Sequence, residues 1–148
     1  MPHEFHGSEA DLAIGAGGGL GHLALQYAKA MGMRVIGVDG GDEKAALCKS
    51  LGVDAFFDFT NTNDIPAKVL ELTTYGAHAV LCFAATQQAY KSAPDYLRVG
   101  GAVIVVGLPK DSSTIAGAPP VVFTGKRLRF VHLLVYALVN WEETDRLA

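Results

Sequence analysis

"AIGAGGGLGHLALQYAKAMGMRVIGVDGG", residues 13–41, sets five glycines within seven positions, then a helical pattern, then a short apolar run that stops on Asp39. Leu12–Ile14 reads as a short first strand that ends in the glycine loop. Leu20, Leu23, Ala24, Tyr27, Ala28 and Met31 recur at the i, i+3, i+4, i+7 spacing of an amphipathic helix. Gly32 stands where a left-handed cap closes that helix. Val35–Val38 reads as a second strand with Asp39 at its carboxyl end. A strand, a glycine turn and a helix N-terminus together provide close backbone, amide donors and positive potential, which is what a pyrophosphate requires. Asp39 lies 18 residues past Gly21, near the roughly 20 expected of the acid that accepts the adenosine ribose hydroxyls. Gly40, Gly41 and Asp42 follow it with no Arg, so a 2′-phosphate would meet negative charge and NAD(H) is favoured over NADP(H).

The register departs from strict GxGxxG. Counting back from Gly21 requires glycine at position 16, and Ala16 stands there. Gly15, Gly19 and Gly21 also satisfy GxxxGxG, the spacing of short-chain dehydrogenases, but no Tyr here has a Lys four positions later. A methyltransferase loop expects an acid where Ala13 is found. Phosphoryl transfer expects Lys-Ser/Thr closing the loop, and the chain has Leu20-Gly21-His22. A glycine-rich turn holding no ligand is the remaining competitor.

Apolar runs alternate with helical patterns through the rest of the chain, the signature of βαβ units in an α/β, doubly wound parallel sheet. The pattern predicts a helix over 42–51 stopped by Gly52, a strand Ala55–Phe59, and a helix over 65–73 capped by Asp64 with Pro66 in its first turn. It then predicts a strand Ala79–Ala84, a helix over 87–98 capped by Thr86, a turn at Gly100–Gly101 and a fifth strand Ala102–Val106. A polar loop over 109–120 leads to a sixth strand at Leu128–Val131. Asn140 and Glu143 have N-cap and N3 spacing and open a helix in "WEETDRLA". Residues 1–11 read as a tail and 12–148 as one domain.

At 148 residues, half of them hydrophobic and 18% charged, the chain can bury a core. Twelve basic against 15 acidic residues give a net charge of −3, and no Lys/Arg run appears, which argues against nucleic acid and anionic membranes as partners. "FVHLLVYALV" (130–139) is too short to span a bilayer, and "MPHEFHGSEAD" has no apolar core of a signal peptide. Cys48 and Cys82 are isolated, offering neither a disulfide framework nor a CxxC clip, so a reducing cytoplasm is expected. His3 and His6 could share a metal but read as a flexible terminal pair. His22, at the start of the first helix, either faces phosphate or is solvated; His78 and His132 read as structural.

"GAGGGLGHLALQYAKAMGMRVIGVDGGDEK", "SLGVDAFFDF", "GAHAVLCF" and "LRVGGAVIVVGLP", in that order, resemble the cofactor domain of zinc-type alcohol dehydrogenases of the medium-chain dehydrogenase/reductase superfamily. The resemblance runs over about residues 12–131 and returns weakly at "VNWEETDRL". It implies a Rossmann fold in which Gly15, Ala16, Gly17, Gly18, Gly19, Leu20 and Gly21 form the pyrophosphate loop. It implies Asp39 as the ribose acid, Lys44 beside the adenosine ribose, and Val106, Gly107 and Leu108 lining the nicotinamide. The implied chemistry is hydride transfer between an alcohol and NAD, with zinc in the intact family.

Against the family pattern, Glu9 and Asp11 interrupt the first strand, "HLLVYAL" replaces a short Gly-Ser-Tyr-type link, and no set of zinc ligands is found. A truncated, alternatively spliced or mispredicted product accounts for these departures, with the domain incomplete at both ends. The chain is therefore expected to hold NAD without oxidising alcohols on its own. The alternatives are a non-catalytic nucleotide- or partner-binding module, self-associating or docking on a full-length homologue through an exposed strand edge, and a fragment of a zinc-free quinone or enoyl reductase.

Overall fold

The computed structural model describes residues 10–107, 109, 111, 113 and 117–132. Its elements alternate strictly: β1 (Ala10–Ile14), α1 (Gly21–Ala30), β2 (Arg34–Asp39), α2 (Asp42–Ser50), β3 (Ala55–Asp58), α3 (Ile65–Thr73) and β4 (Ala77–Cys82), then α4 (Gln87–Ser92), β5 (Leu97–Val105), α5 (Pro120–Lys126) and β6 (Arg129–His132). The six strands form one sheet in the order β3-β2-β1-β4-β5-β6, with every pair parallel. This is the expected doubly wound α/β arrangement, whose order reverses between β1 and β4.

Period-2 alternation sends successive strand residues to opposite faces. Leu12, Ile14, Val38, Val80, Cys82, Val103 and Val105 face α3, α4 and α5 in the larger core, with Val69 and Tyr90 among them. Ala13 and Val35, with Ala16 of the loop, meet Leu25 of α1 and Cys48 of α2 in a smaller core on the other face.

Four expectations are corrected. β1 starts at Ala10, two residues before Leu12, so Asp11 does not interrupt it. Asp11 pairs in register with Val35 and Ala79, and its carboxylate accepts the Ala79 N–H at 3.2 Å. β4 runs Ala77–Cys82, two residues earlier than Ala79–Ala84. The helix expected to run to residue 98 ends at Ser92, where Pro94, lacking an N–H, tightens Ala93–Tyr96 into a 3₁₀ turn. β5 accordingly begins at Leu97, and Gly100–Gly101 lie inside it rather than before it. Gly100, at φ +79°, bends the strand opposite a register shift between Ala77 and Ala79. The sequence pattern also left α5 unread. The helix proposed from Asn140 lies outside the described residues, as do Glu9, His3, His6 and the "HLLVYAL" substitution beyond His132.

Candidate functional site

The loop between β1 and α1 is shaped by contacts that each exclude a side chain. Gly15 has φ +80°, and a Cβ there would lie 3.0 Å from the Ala84 N of the neighbouring crossover. A Cβ on Gly21 would lie 2.1 Å from the Gly15 carbonyl oxygen and 2.8 Å from that of Ala16, so the first residue of α1 can only be glycine. Gly17 is closed by the Lys44 side chain, whose Cβ would be 2.7 Å away. Gly19, in contrast, has open space around it. Gly15 N–H donates to Val38 O (2.9 Å), Gly18 N–H to Gly15 O (3.1 Å) and His22 N–H to Gly18 O (3.1 Å), so the turn is held from both sides.

Ala16 is fully buried. Its methyl fills the small core under α1, where a Cβ on Gly37 would come within 3.3 Å of it. The alanine that breaks the strict glycine count is thus complemented by a glycine in β2. Leu20, the N-cap of α1, provides no side-chain cap bond, and it is exposed. No side chain caps the first turn of α1, in which the His22 N–H is already held by the Gly18 carbonyl. His22 turns its Nδ1–H onto the Gly18 carbonyl at 2.9 Å, bracing the loop.

Asp39, at the carboxyl end of β2, is 5% exposed. Its Oδ2 accepts the Gly17 N–H at 2.9 Å. Its Oδ1 accepts the Gly40 N–H at 2.8 Å and the Lys44 ammonium at 2.8 Å. Lys44 stands in the first turn of α2, with its side chain 47% exposed. The structure therefore brings the loop, Asp39 and Lys44 into one hydrogen-bonded unit. Three of the roughly four acceptor positions of a carboxylate are used, and one on Oδ2 is free for a further donor.

This unit borders a cleft of about 540 Å³ between the carboxyl ends of β1 and β4, lined also by Ile14, Val38, Thr62, Asp64, Ala84 and Thr86. It is the crevice where strand order reverses, the general ligand position of open α/β sheets. Thr86 caps α4 by accepting the Ala89 N–H at 3.2 Å, and Asp64 caps α3 by accepting that of Ala67 at 3.1 Å. Both lie on the rim. Their cleft position was not apparent in the sequence, which marked them only as caps. The other side of the switch point is closed tightly: a Cβ on Gly107 would lie 2.6 Å from the Phe83 carbonyl oxygen, and Tyr90 Oη–H donates to the Gly107 carbonyl. Val106 follows β5 and is half-buried beside α1. Leu108 lies outside the described residues.

Among the described residues, no three His, Cys, Asp or Glu side chains converge as a metal site. Cys82 and Cys48 belong to the cores on opposite faces of the sheet. Burial pushes the Cys82 thiol up to about 12. Burial is also the main cause that raises Cys48, reinforced by the Asp39 charge and opposed by Lys44. Two thiols on opposite faces of a sheet do not fit one zinc ion, whose ligands converge tetrahedrally with Zn–S of about 2.3 Å.

The sequence profile of the family described as "Zinc-binding dehydrogenase" matches residues 19–148. Alcohol dehydrogenase 1 of Emericella nidulans is 50% identical over 101 residues, 67% of this chain and 29% of that protein. Alcohol dehydrogenase 1 of Caenorhabditis elegans is 48% identical over 109 residues, 74% of this chain and 31% of that protein. The chain thus spans about 30% of the length of these curated relatives. Among solved structures, the alcohol dehydrogenase of Aeropyrum pernix superposes with a TM-score of 0.79 at 27% identity, over 96% of this chain and 42% of that one. A quinone oxidoreductase of Pseudomonas syringae superposes at 0.76 with 28% identity, over 93% and 42%. With a glycine loop, a reversed strand order and a profile match over most of its length, the chain belongs to the zinc-binding dehydrogenase family, within the medium-chain dehydrogenase/reductase superfamily.

Proposed function

We propose that this chain is the NAD(H)-binding domain, residues 12–148 together with the start of β1, of an alcohol dehydrogenase-like oxidoreductase. The observation that carries the reading is the Gly17–Asp39–Lys44 unit at the mouth of the cleft. Gly15 to Gly21, with the first-turn amides of α1, would hold the pyrophosphate. Asp39 would accept ribose hydroxyls and repel a 2′-phosphate, and Lys44 would hold that carboxylate aimed. Val106, Gly107 and Leu108 would back the nicotinamide. When bound, the nicotinamide accepts or donates the hydride, and the protein contributes orientation. No step is assigned to zinc, because Cys48 and Cys82 do not fit it. Alone, the chain is expected to bind cofactor without turning over alcohols. Two buried free thiols suit a reducing compartment such as the cytoplasm.

Calorimetric titration with NADH and NADPH tests this. Binding of NADH in the micromolar to low millimolar range, tighter than NADPH, is the expected result; no NADH binding at millimolar concentration overturns it. A second reading, the cofactor half of a zinc-free quinone reductase, draws on the comparable superposition with the Pseudomonas syringae enzyme. The 47–50% identities to curated alcohol dehydrogenases favour the first.

A further inference from the structure

The turn that follows β2 is shaped by two aspartates. Asp39 and Asp58 are registered partners at the carboxyl ends of the neighbouring parallel strands β2 and β3. Asp58 Oδ2 reaches across and accepts the Gly41 N–H at 3.2 Å. Its Oδ1 accepts the Thr60 N–H at 2.8 Å and the Thr60 hydroxyl at 2.6 Å, and the Asn61 side-chain amide donates to Oδ2 at 3.2 Å. Phe59 N–H ties the two segments again by donating to the Asp39 carbonyl at 3.1 Å. Gly40 makes room for the Phe59 ring, since a Cβ there would lie 2.9 Å from Cζ. Hydrogen bonds from Thr60, with lesser ones from Gly41 and Asn61, hold the Asp58 carboxyl below its ordinary value, so it is charged at neutral pH.

The two carboxylates differ in how their charge is met. Asp39 is paired with the Lys44 ammonium at 2.8 Å, whereas the hydrogen-bond partners of Asp58 are all neutral. Asp42 and Glu43 add acid to the first turn of α2 but are exposed; Asp58 is fixed against the turn by its own bonds. A phosphate is held at such a turn by amide N–H groups and a cation that are free to meet it. Here the Gly40 N–H is taken by Asp39 Oδ1, the Gly41 N–H by Asp58 Oδ2 and the Lys44 ammonium by Asp39. Asp58 thus withdraws a donor and sets an uncompensated negative charge at the same point.

We propose that Asp58 is a second specificity-determining residue for the cofactor, excluding a 2′-phosphate at the Gly40–Gly41 turn and adding to the repulsion by Asp39. The inference rests on the reading of this cleft as a nicotinamide dinucleotide site with Asp39 at the ribose. Asp39 rewards a free 2′-hydroxyl, and Asp58 penalises the phosphate that would replace it, through the occupied amide and through like charge. The second acid stands 19 positions past the first, on another strand, and reaches the turn only through the pairing of β2 with β3.

The test is calorimetric titration of the 148-residue chain and its Asp58→Asn variant with NADH and NADPH, beside a melting curve. Asn keeps an oxygen acceptor at the turn and removes the charge. The preference for NADH should narrow by about three- to tenfold at low salt, through tighter NADPH. Raising salt should narrow the parent's preference more than the variant's, because only the parent keeps the charge to be screened. In an Asp39→Ala chain, where lost NADH affinity brings the two cofactors level, Asp58→Asn should carry the preference over to NADPH. Asp58→Ser, whose hydroxyl also accepts from a turn amide, should narrow the preference likewise and serves if the Asn variant does not fold. A folded variant with the parent's preference overturns the inference and leaves the Asp39 reading standing. Equal weakening of both cofactors makes Asp58 a structural residue only and also overturns it. A parent chain that binds no NADH at millimolar concentration overturns the reading of the site, and the inference with it.

Discussion

Replacing Asp39 by alanine separates the two tasks its carboxylate performs. In the ligand-free chain it accepts from Gly17 N–H, Gly40 N–H and Lys44. Lys44 is half exposed, so its ammonium passes to water and the loss of that ion pair costs at most about 1 kcal/mol. The Gly17 amide is part-buried and loses its acceptor, at about 1–3 kcal/mol. For a domain of this size that corresponds to a thermal midpoint lower by roughly 2–10 °C. On the cofactor side, a hydrogen bond to an ionised acceptor is worth about 1.5–3 kcal/mol, so NADH affinity should fall by about ten- to a hundredfold. NADPH should lose little, because the charge that opposes a 2′-phosphate is gone and Lys44 is released to meet it. The preference for NADH should therefore collapse. Calorimetry with both cofactors, beside circular dichroism and a melting curve, reads all three effects. A folded Asp39→Ala chain that binds NADH as tightly as the parent, with the preference intact, would falsify the assignment of Asp39 to the ribose.

Two glycines of one loop should respond oppositely to alanine. Gly21→Ala must move backbone, because its Cβ falls 2.1 Å from the Gly15 oxygen; a large loss of thermal stability or no soluble protein is expected. Gly19→Ala meets nothing, so melting should change by less than about 0.5 kcal/mol while NADH binding weakens as the methyl enters the ligand's space. Ala16→Gly restores the strict glycine pattern yet should destabilise by about 1–2 kcal/mol, from a lost buried methyl and added backbone freedom, without tightening NADH; a stabilised variant would sink the packing account. Stability should also fall on the acid side. Burial raises the Asp54 carboxyl, but hydrogen bonds from Lys29 and the Val35 amide, with the Lys29 and Arg34 charges, outweigh it and leave it below its ordinary value. A carboxyl depressed in the folded state contributes stability that is full above its unfolded value, about 3.9, and is lost as pH falls through its folded value. Asp54→Asn should flatten that limb of a melting-temperature profile and leave the profile near neutrality parallel to the parent's; an unchanged acid limb refutes it.

Local signals predicted elements well where they were sufficient. Asp64 with Pro66 marks a helix over 65–73, and Ile65–Thr73 forms, because an N-cap and a first-turn proline act within a few residues. The same logic misreads Gly100–Gly101. In isolation two glycines mark a turn, yet here Gly100 makes a bend inside β5, while Gly76 packs its α-carbon where a Cβ would lie 2.6 Å from Arg98 N. Only the pairing of β4 with β5 reveals that. Helix α5 was unreadable for a related reason. Val121, Val122, Phe123 and Gly125 carry weak helix propensity, and the segment is helical because Val122 and Phe123 pack on the large core.

The site is legible to a different degree at each residue, and the difference has one cause. Gly15 and Gly21 are recognisable because the contacts that require them lie within the turn or one crossover away. Asp39 is recognisable because the lengths of α1 and β2 place it at the cleft. Ala16 looks like a defect in the motif because its justification, Gly37, lies 21 positions on and carries no motif of its own. A one-dimensional pattern registers what the backbone needs of itself, and it loses what one side chain needs of another across a sheet. The half-face beside α1, which no helix covers among the described residues, is the extreme case. Each of its residues belongs to an ordinary buried-strand pattern, and nothing in that pattern distinguishes a strand covered on both faces from one covered on a single face. That distinction appears only when the described helices are seen in place on the two faces.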